Sequence, residues 1–291
     1  MTMEILDTEF LEKIEKLRLA VKKIRIISNV GERKSPKTGK GTEFSDYRTY
    51  QIGDELRYLD WNIYARFEKF LVKLFEEEED LEVHILLDSS LSMDFGIPTK
   101  FFYGKKLALA FSYLSLSAWE KVTVTYFQDD IKGIISLERK RENIFKLLDQ
   151  LNKLEAQGKT NLNEVIKKYV SSLKRRAILM VISDFLSPYK DGILYARYKK
   201  LPVYLIHVIS EEEISPPYEG NLQLIDSETN EIINLYLDKS LIENYKKTLD
   251  KFLKDIENFA LKTNAEYMRT STVIPVEDLL FRYLRMGGWL K

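Results

Sequence analysis

The sequence predicts an α/β fold built on a doubly wound, mostly parallel sheet, with a helical and extended segment before it and a small hairpin late in the chain. Three observations carry that expectation. Apolar runs of strand length recur at 81–87, 122–127, 177–183 and 203–209, as the buried strands of a parallel sheet do. Stretches of helical period separate them, and strands alternating with helices at this spacing imply right-handed crossovers within one sheet. At 291 residues, 45% hydrophobic and 31% charged, the chain can bury such a core without staples.

The elements follow in order. Phe10, Ile14, Leu17, Val21 and Ile24 recur at helical spacing, so Thr8 to Ile27 reads as an amphipathic helix capped by Asp7 or Thr8. Asn29 to Gly41, rich in Gly, Pro, Ser and Lys, breaks any period and reads as a mobile loop. Leu71 to Phe75 is a strand, and Leu81 to Leu87 is a second that ends at Asp88. Lys100 to Trp119 is helical; Lys121 to Phe127 and Ile131 to Ser136 form a hairpin across Gln128-Asp129-Asp130. Arg139 to Leu151 and Leu162 to Leu173 are helices, and Lys190 to Lys200 is a helix between the strands Ala177 to Ser183 and Val203 to Ile209. A late hairpin joins Leu222 to Asp226 with Glu231 to Leu237; helices follow at Leu241 to Lys262 and Pro275 to Met286, the second with Gly287 past its end. The expected division is residues 1–79, then a sheet domain over 80–291 with its hairpin insertion at about 218–237.

Lys+Arg and Asp+Glu are equal at 45 each, which argues against a chain built around specific nucleic-acid binding. The balance is uneven locally. Lys13 to Lys40 holds ten Lys/Arg against Glu15 and Glu32, and six of the seven residues from Glu76 to Glu82 are acidic. These read first as solvated surfaces that face one another, and second as a basic arm for an anionic partner, peripheral membrane association included. The chain has no cysteine, which excludes disulfides and thiolate chemistry and suits a reducing compartment. No apolar stretch is long enough to span a bilayer, and MTMEILDTEF lacks a basic n-region, so a cytoplasmic location is expected.

Asp88, Ser90 and Ser92 stand directly after an apolar strand, Thr160 lies in the loop Gly158-Lys159-Thr160-Asn161 before a helix, and Asp184 follows the strand ILMVIS. Ligands of open α/β sheets bind beyond the carboxyl ends of the strands, so the positions suit a site. Two carboxylates and three hydroxyls are hard oxygen donors suited to Mg²⁺, with Mn²⁺ also compatible. Each piece alone is equally a turn or a helix cap. Their order along one sheet is what singles them out.

That order resembles the metal-ion-dependent adhesion site of von Willebrand factor A domains. Gly41-Thr42-Glu43-Phe44, then Arg48, Tyr50, Gly53, Asp54, Arg57, Asp60, Trp61 and Arg66 resemble the signature of a prokaryotic family called domain of unknown function 58. The resemblance covers nearly the whole chain, with Lys159 where a second Gly is usual. It implies a von Willebrand factor A-like, Rossmann-like fold, and a cation bound directly by Ser90 and Ser92, by Thr160 directly or through water, and by Asp88 and Asp184 mostly through waters and hydroxyls. Such a site captures a partner's carboxylate. Members are typically encoded beside MoxR-type AAA+ ATPases, so the resemblance implies an adaptor or co-chaperone for them. Read physically, Arg48, Asp54, Arg57, Asp60 and Arg66, interleaved with Tyr50 and Trp61, suggest a partly buried ion-pair network that pins the N-terminal segment to the sheet domain.

Enzyme readings find little support. A second acidic residue is missing at Ser90 for an Asp-nucleophile phosphatase, Lys153 stands where a P-loop needs Gly, and no Gly-x-Ser-x-Gly elbow exists. His84 and His207 sit inside strand patterns and read as core histidines. A Mg²⁺-dependent hydrolase with Asp88 or Asp184 as base remains the alternative.

Overall fold

The computed structural model describes residues 10, 12–15, 34–38, 43–78, 82–118, 120–140, 142–173, 177–229 and 231–285. The chain forms two compact units, Arg25–Asp80, and Met1–Ile24 together with Leu81–Lys291. The residues read as the start of the first helix therefore belong with the larger unit rather than with the segment up to residue 79. Phe10 and Ile14 lie in its core, and Lys13 pairs with Glu277 at 3.1 Å. Residues 8, 9, 11 and 16–27 of that expected helix, and its expected cap at Asp7 or Thr8, lie outside the described residues.

The smaller unit contains β1 (Lys34–Thr38), β2 (Glu43–Thr49), helix α1 (Trp61–Phe67) and β3 (Leu71–Glu78). Its sheet is antiparallel in the order β1-β3-β2. Here the loop expected over Asn29 to Gly41 is corrected, because residues 34–38 are a strand. Its register sets Lys34 opposite Glu78 and Ser35 opposite Glu77. The backbone of the basic segment thus pairs with that of the acidic one, and this ladder supplies what local propensity lacks. Pro36 is tolerated because β1 is an edge strand.

The larger unit holds β4 (Glu82–Asp88), α2 (Lys100–Ser117), β5 (Lys121–Phe127), β6 (Ile131–Leu137), α3 (Asn143–Asn152), α4 (Leu162–Ser172), β7 (Ala177–Ser183), α5 (Lys190–Tyr198), β8 (Val203–Ile209) and α6 (Glu211–Ile214). After these come β9 (Gly220–Ile225), β10 (Ile232–Leu237), α7 (Lys239–Thr263), β11 (Glu266–Ser271) and α8 (Val276–Arg285). Six strands make one sheet in the order β11-β8-β7-β4-β5-β6, parallel except for β6. The four apolar runs share it, as expected.

Alternation along the strands feeds two cores. Val83, Ile85 and Leu87 join Leu107, Phe111 and Leu147 on one face. Leu86, Val181 and Leu205 join Val165, Ile193 and Ile256 on the other. Both faces are covered by helices, which explains why the strands are apolar throughout rather than on alternate residues. The chain leaves β4 toward β5 on one side and returns to β7 on the other, so the strand order reverses at β4. That reversal opens a crevice at the carboxyl ends of β4 and β7. The late hairpin, β9 with β10, is a separate two-stranded sheet.

Candidate functional site

β4 ends at Asp88, which is fully buried. Beyond it the chain is tied down by its neighbours: Ser89 donates its amide to the Phe127 carbonyl at 2.8 Å, Gln157 donates to the Ser89 carbonyl at 2.8 Å, and Leu91 donates to the Gly158 carbonyl at 3.0 Å. The loops after β4 and before α4 are therefore stitched by backbone bonds. Gly158 makes this possible with φ of +68°, a conformation a β-carbon disfavours.

This stitching brings the hydroxyls onto Asp88. Ser90 donates its hydroxyl to Asp88 Oδ1 at 2.7 Å and its amide to the same oxygen at 3.0 Å. Ser183, at the end of β7, donates to Asp88 Oδ2 at 2.7 Å, and Thr160 Oγ1 donates to Oδ2 at 3.3 Å. Ser90 and Ser92 hydroxyls are 3.1 Å apart. With the Ser90 hydroxyl donating to Asp88, Ser92 is the donor to Ser90. The hydroxyls of Ser90 and Thr160, having given their protons to Asp88, turn lone pairs away from it.

Asp184 sits beside this cluster with its own oxygens engaged. Oδ1 accepts the Leu186 amide at 3.2 Å, and Oδ2 accepts Lys100 Nζ at 2.8 Å. Lys100 also donates to Glu213 at 2.6 Å. Glu213 is itself held by a capping box with Ser210 at the start of α6. Burial pulls the Lys100 ammonium down, but Asp184 and Glu213 outweigh it and its pKa is raised. Burial and, second, the Asp184 charge push the Asp88 carboxyl up to about 7 against the pull of Ser183 and Ser90.

The donor set fits the hard divalent cation that the sequence suggests. Ser90 and Thr160 keep lone pairs that Asp88 does not use, and the buried carboxylate behind them, its pKa raised first by burial and then by Asp184, is relieved by a nearby positive charge. Among the described residues no three His, Cys, Asp or Glu side chains cluster as a cage for a metal ion. Any cation here would depend on the serines and the threonine.

A family model described as "Protein of unknown function DUF58" matches residues 46–251. The chain belongs to the DUF58 family. Among its relatives are the uncharacterized proteins Rv1480 of Mycobacterium tuberculosis strain H37Rv and Mb1516 of Mycobacterium bovis. Each is 23% identical over 224 residues, covering 75% of this chain and 71% of the relative. Solved structures that it resembles include BatB from Bacteroides thetaiotaomicron, at TM-score 0.43 and 15% identity over 72% of this chain and 98% of that one. Another is the SpRpn10 VWA domain, at TM-score 0.39 and 12% identity over 70% and 95%. Likenesses of this size transfer no function.

The residues whose pattern resembles the family signature fall in the smaller unit, and Arg48 with Asp54 and Asp60 with its partners form two separate clusters. Arg48 pairs with Asp54 at 2.8 Å, and Asp54 also accepts the Gln51 amide, so its pKa is lowered by Arg48 first and that amide second. Gly53, at φ +109°, turns the chain between them. Asp60 caps α1 by accepting the Asn62 and Ile63 amides, and takes Tyr47 at 2.9 Å and Lys73 at 3.0 Å. Lys73 is the main reason its carboxyl is held down at about 2. The single network expected from sequence is thereby corrected. Arg57 is exposed and pairs only locally with Glu55, at 2.5 Å, while stacking on Tyr58. Arg66 and Trp61 are exposed too, and Tyr50 is half-buried beside Phe70.

Both histidines are core residues. His84 Nδ1 bonds the Tyr169 hydroxyl at 2.7 Å and His207 Nδ1 bonds that of Tyr267 at 2.9 Å. Burial lowers both pKa values, that of His207 to about 3.

Sequence reasoning missed Lys100, Ser183, Glu213 and Glu228, whose carboxylate meets the Thr160 amide. Lys100 carried a legible signal. A cation in the first turn of an apolar helix opposes the helix dipole and needs a buried carboxylate to hold it.

Proposed function

We propose that this chain is a protein-binding module in which Ser90, Ser92 and Thr160 hold a divalent cation, Mg²⁺ or Mn²⁺, that captures a carboxylate of a protein partner. The observation that carries this reading is the convergence of hydroxyl donors on the buried Asp88 at the strand-order reversal. A cation held by neutral hydroxyls keeps most of its charge, so an incoming carboxylate is a favoured further ligand. Asp88 stands behind the hydroxyls of Ser90 and Thr160 and orients them, as supporting groups do at metal sites, and Asp184 lies beside it.

The surroundings suit docking rather than bond chemistry. To act as a base, Asp88 would have to shed Ser90, Ser183 and Thr160, and Asp184 is already paired with Lys100. Leu186, two residues after Asp184, is 60% exposed; Phe95 and Ile97, in the loop after Ser92, are 43% and 83% exposed. Apolar side chains left exposed beside the site are surface that a docked partner can cover. The partner we assign is a MoxR-type AAA+ ATPase, the class implied by the DUF58 resemblance.

Isothermal titration of the purified chain is the test. Mg²⁺ should bind at millimolar concentration or below, and Ser90→Ala or Ser92→Ala should weaken it with the fold retained. The MoxR-type ATPase of the same host should be retained on the chain in Mg²⁺ and released by EDTA. Metal-dependent cleavage of a phosphoester or peptide, lost in Asp88→Ala, would overturn the reading.

A further inference from the structure

We propose that Glu228, at the tip of the late hairpin, is a carboxylate supplied by the chain itself to the cation site, and that a partner's carboxylate must displace it. This rests on the cation site proposed above and adds its regulation.

The turn between β9 and β10 is built to present this side chain. Asp226 Oδ1 accepts the amides of Glu228 at 2.9 Å and Thr229 at 2.7 Å, and the Asp226 amide closes the turn on the Glu231 carbonyl at 2.9 Å. Glu228 then reaches the loop before α4, where its Oε2 accepts the Thr160 amide in a long bond of 3.4 Å. Its other oxygen, Oε1, is buried and has no hydrogen-bond partner among the described residues. A carboxylate oxygen removed from water without a donor is costly, and a cation is the natural way to meet it.

Thr160 is the common point. Its amide holds Glu228 and its hydroxyl holds Asp88. The Asp226 carboxyl is held below the usual carboxylate range first by Thr229, then by the Glu228 amide, and last by the charge of Lys159 beside Thr160. The hairpin itself is a lone pair of strands with Leu224, Ile225, Ile232 and Ile233 exposed. Two-stranded sheets are marginal on their own, so the tip contacts are one of the things that hold this one in place. Displacing Glu228 frees a coordination position and leaves an apolar strand pair beside it for the partner.

The test uses the full chain with Mn²⁺ as the probe, measured by loss of the free-ion paramagnetic resonance signal, and hydrogen exchange of residues 220–237 with and without Mg²⁺. Wild type should bind Mn²⁺, and Mg²⁺ should slow exchange in the hairpin. Glu228→Gln, which keeps shape on a surface turn, should bind Mn²⁺ on the order of tenfold more weakly and lose the Mg²⁺-dependent protection. Glu228→Asp, charged but shorter, should behave like Glu228→Gln. Wild-type affinity and protection in both variants, with binding lost in Ser90→Ala, would overturn the role of Glu228 and leave the cation site standing. Failure of wild type to bind Mn²⁺ would overturn both.

Discussion

Lys100 shows how one side chain reshapes a site. It is 1% exposed and bridges Asp184, 3% exposed, to Glu213. Removing one partner of a buried pair leaves an uncompensated charge, so Lys100→Met is expected to cost about 3–5 kcal/mol in chemical denaturation. The sign of its pH dependence follows from the raised pKa. A lysine whose folded pKa exceeds its unfolded value contributes fully below the unfolded value and loses that contribution as pH rises through the folded one. The gap between wild type and Lys100→Met should thus be flat from pH 6 to 9 and close only in strong alkali. In the smaller unit, Asp60 and Arg57 look equivalent in sequence and are not. Asp60→Ala removes a helix cap, a lysine pair and a tyrosine bond together, so thermal melting should fall by several degrees. Arg57→Ala strips an exposed pair and should stay within about 0.5 kcal/mol of wild type.

Helices and strands differ in how far the sequence reveals them. Ala177–Ser183 and Val203–Ile209 were legible to the residue because burial on both faces makes the whole strand apolar. Glu266–Ser271 was not, because as an edge strand it buries only alternate residues and carries Glu266 and Arg269. β1 escaped notice because its pairing depends on β3, far along the chain, rather than on its own composition. At the site, the clustered hydroxyl and carboxylate residues and their strand-end positions were readable, whereas Lys100, Ser183 and Glu228 converge only through tertiary packing. The helix–sheet contact behind the site is itself testable. A β-carbon at Gly104 of α2 would lie 3.1 Å from a Leu87 methyl and 3.6 Å from the Met93 methyl. Gly104→Val should overpack this contact by about 1–3 kcal/mol. Since Leu87 and Met93 bracket Asp88, Ser90 and Ser92, the same variant should weaken Mg²⁺ binding in titration, while Gly53→Ala in the smaller unit should leave it unchanged.

At the scale of the whole molecule, the proposed cation couples site chemistry to stability. All its ligands lie in the larger unit, so Mg²⁺ should raise that unit's unfolding free energy by mass action, about 2.7 kcal/mol at a hundred times Kd. Hydrogen exchange should slow within 82–285 and not in the Arg25–Asp80 unit. The pH dependence of binding follows from Asp88, whose carboxyl stands at about 7 because it is buried and faces Asp184. A carboxylate raised above its unfolded value favours the protonated folded state between the two values, so in chelator this group adds stability as pH falls through 7. Loading a cation opposes that, because the hydroxyls and Asp88 serve it only when Asp88 is ionised. His207, with its pKa lowered to about 3, pulls overall stability the other way in acid but contributes equally to free and loaded protein, and cancels from the binding equilibrium. Mg²⁺ affinity should therefore be level above pH 8 and fall by up to about tenfold per pH unit below 7. Titration at pH 6 in two buffers of different ionisation enthalpy should show close to one proton released per ion, and none at pH 8.5. An affinity flat from pH 8 to 5.5 with no proton release would mean that Asp88 is already ionised without the cation, and that its buried position is met by Ser90, Ser183 and Thr160 alone.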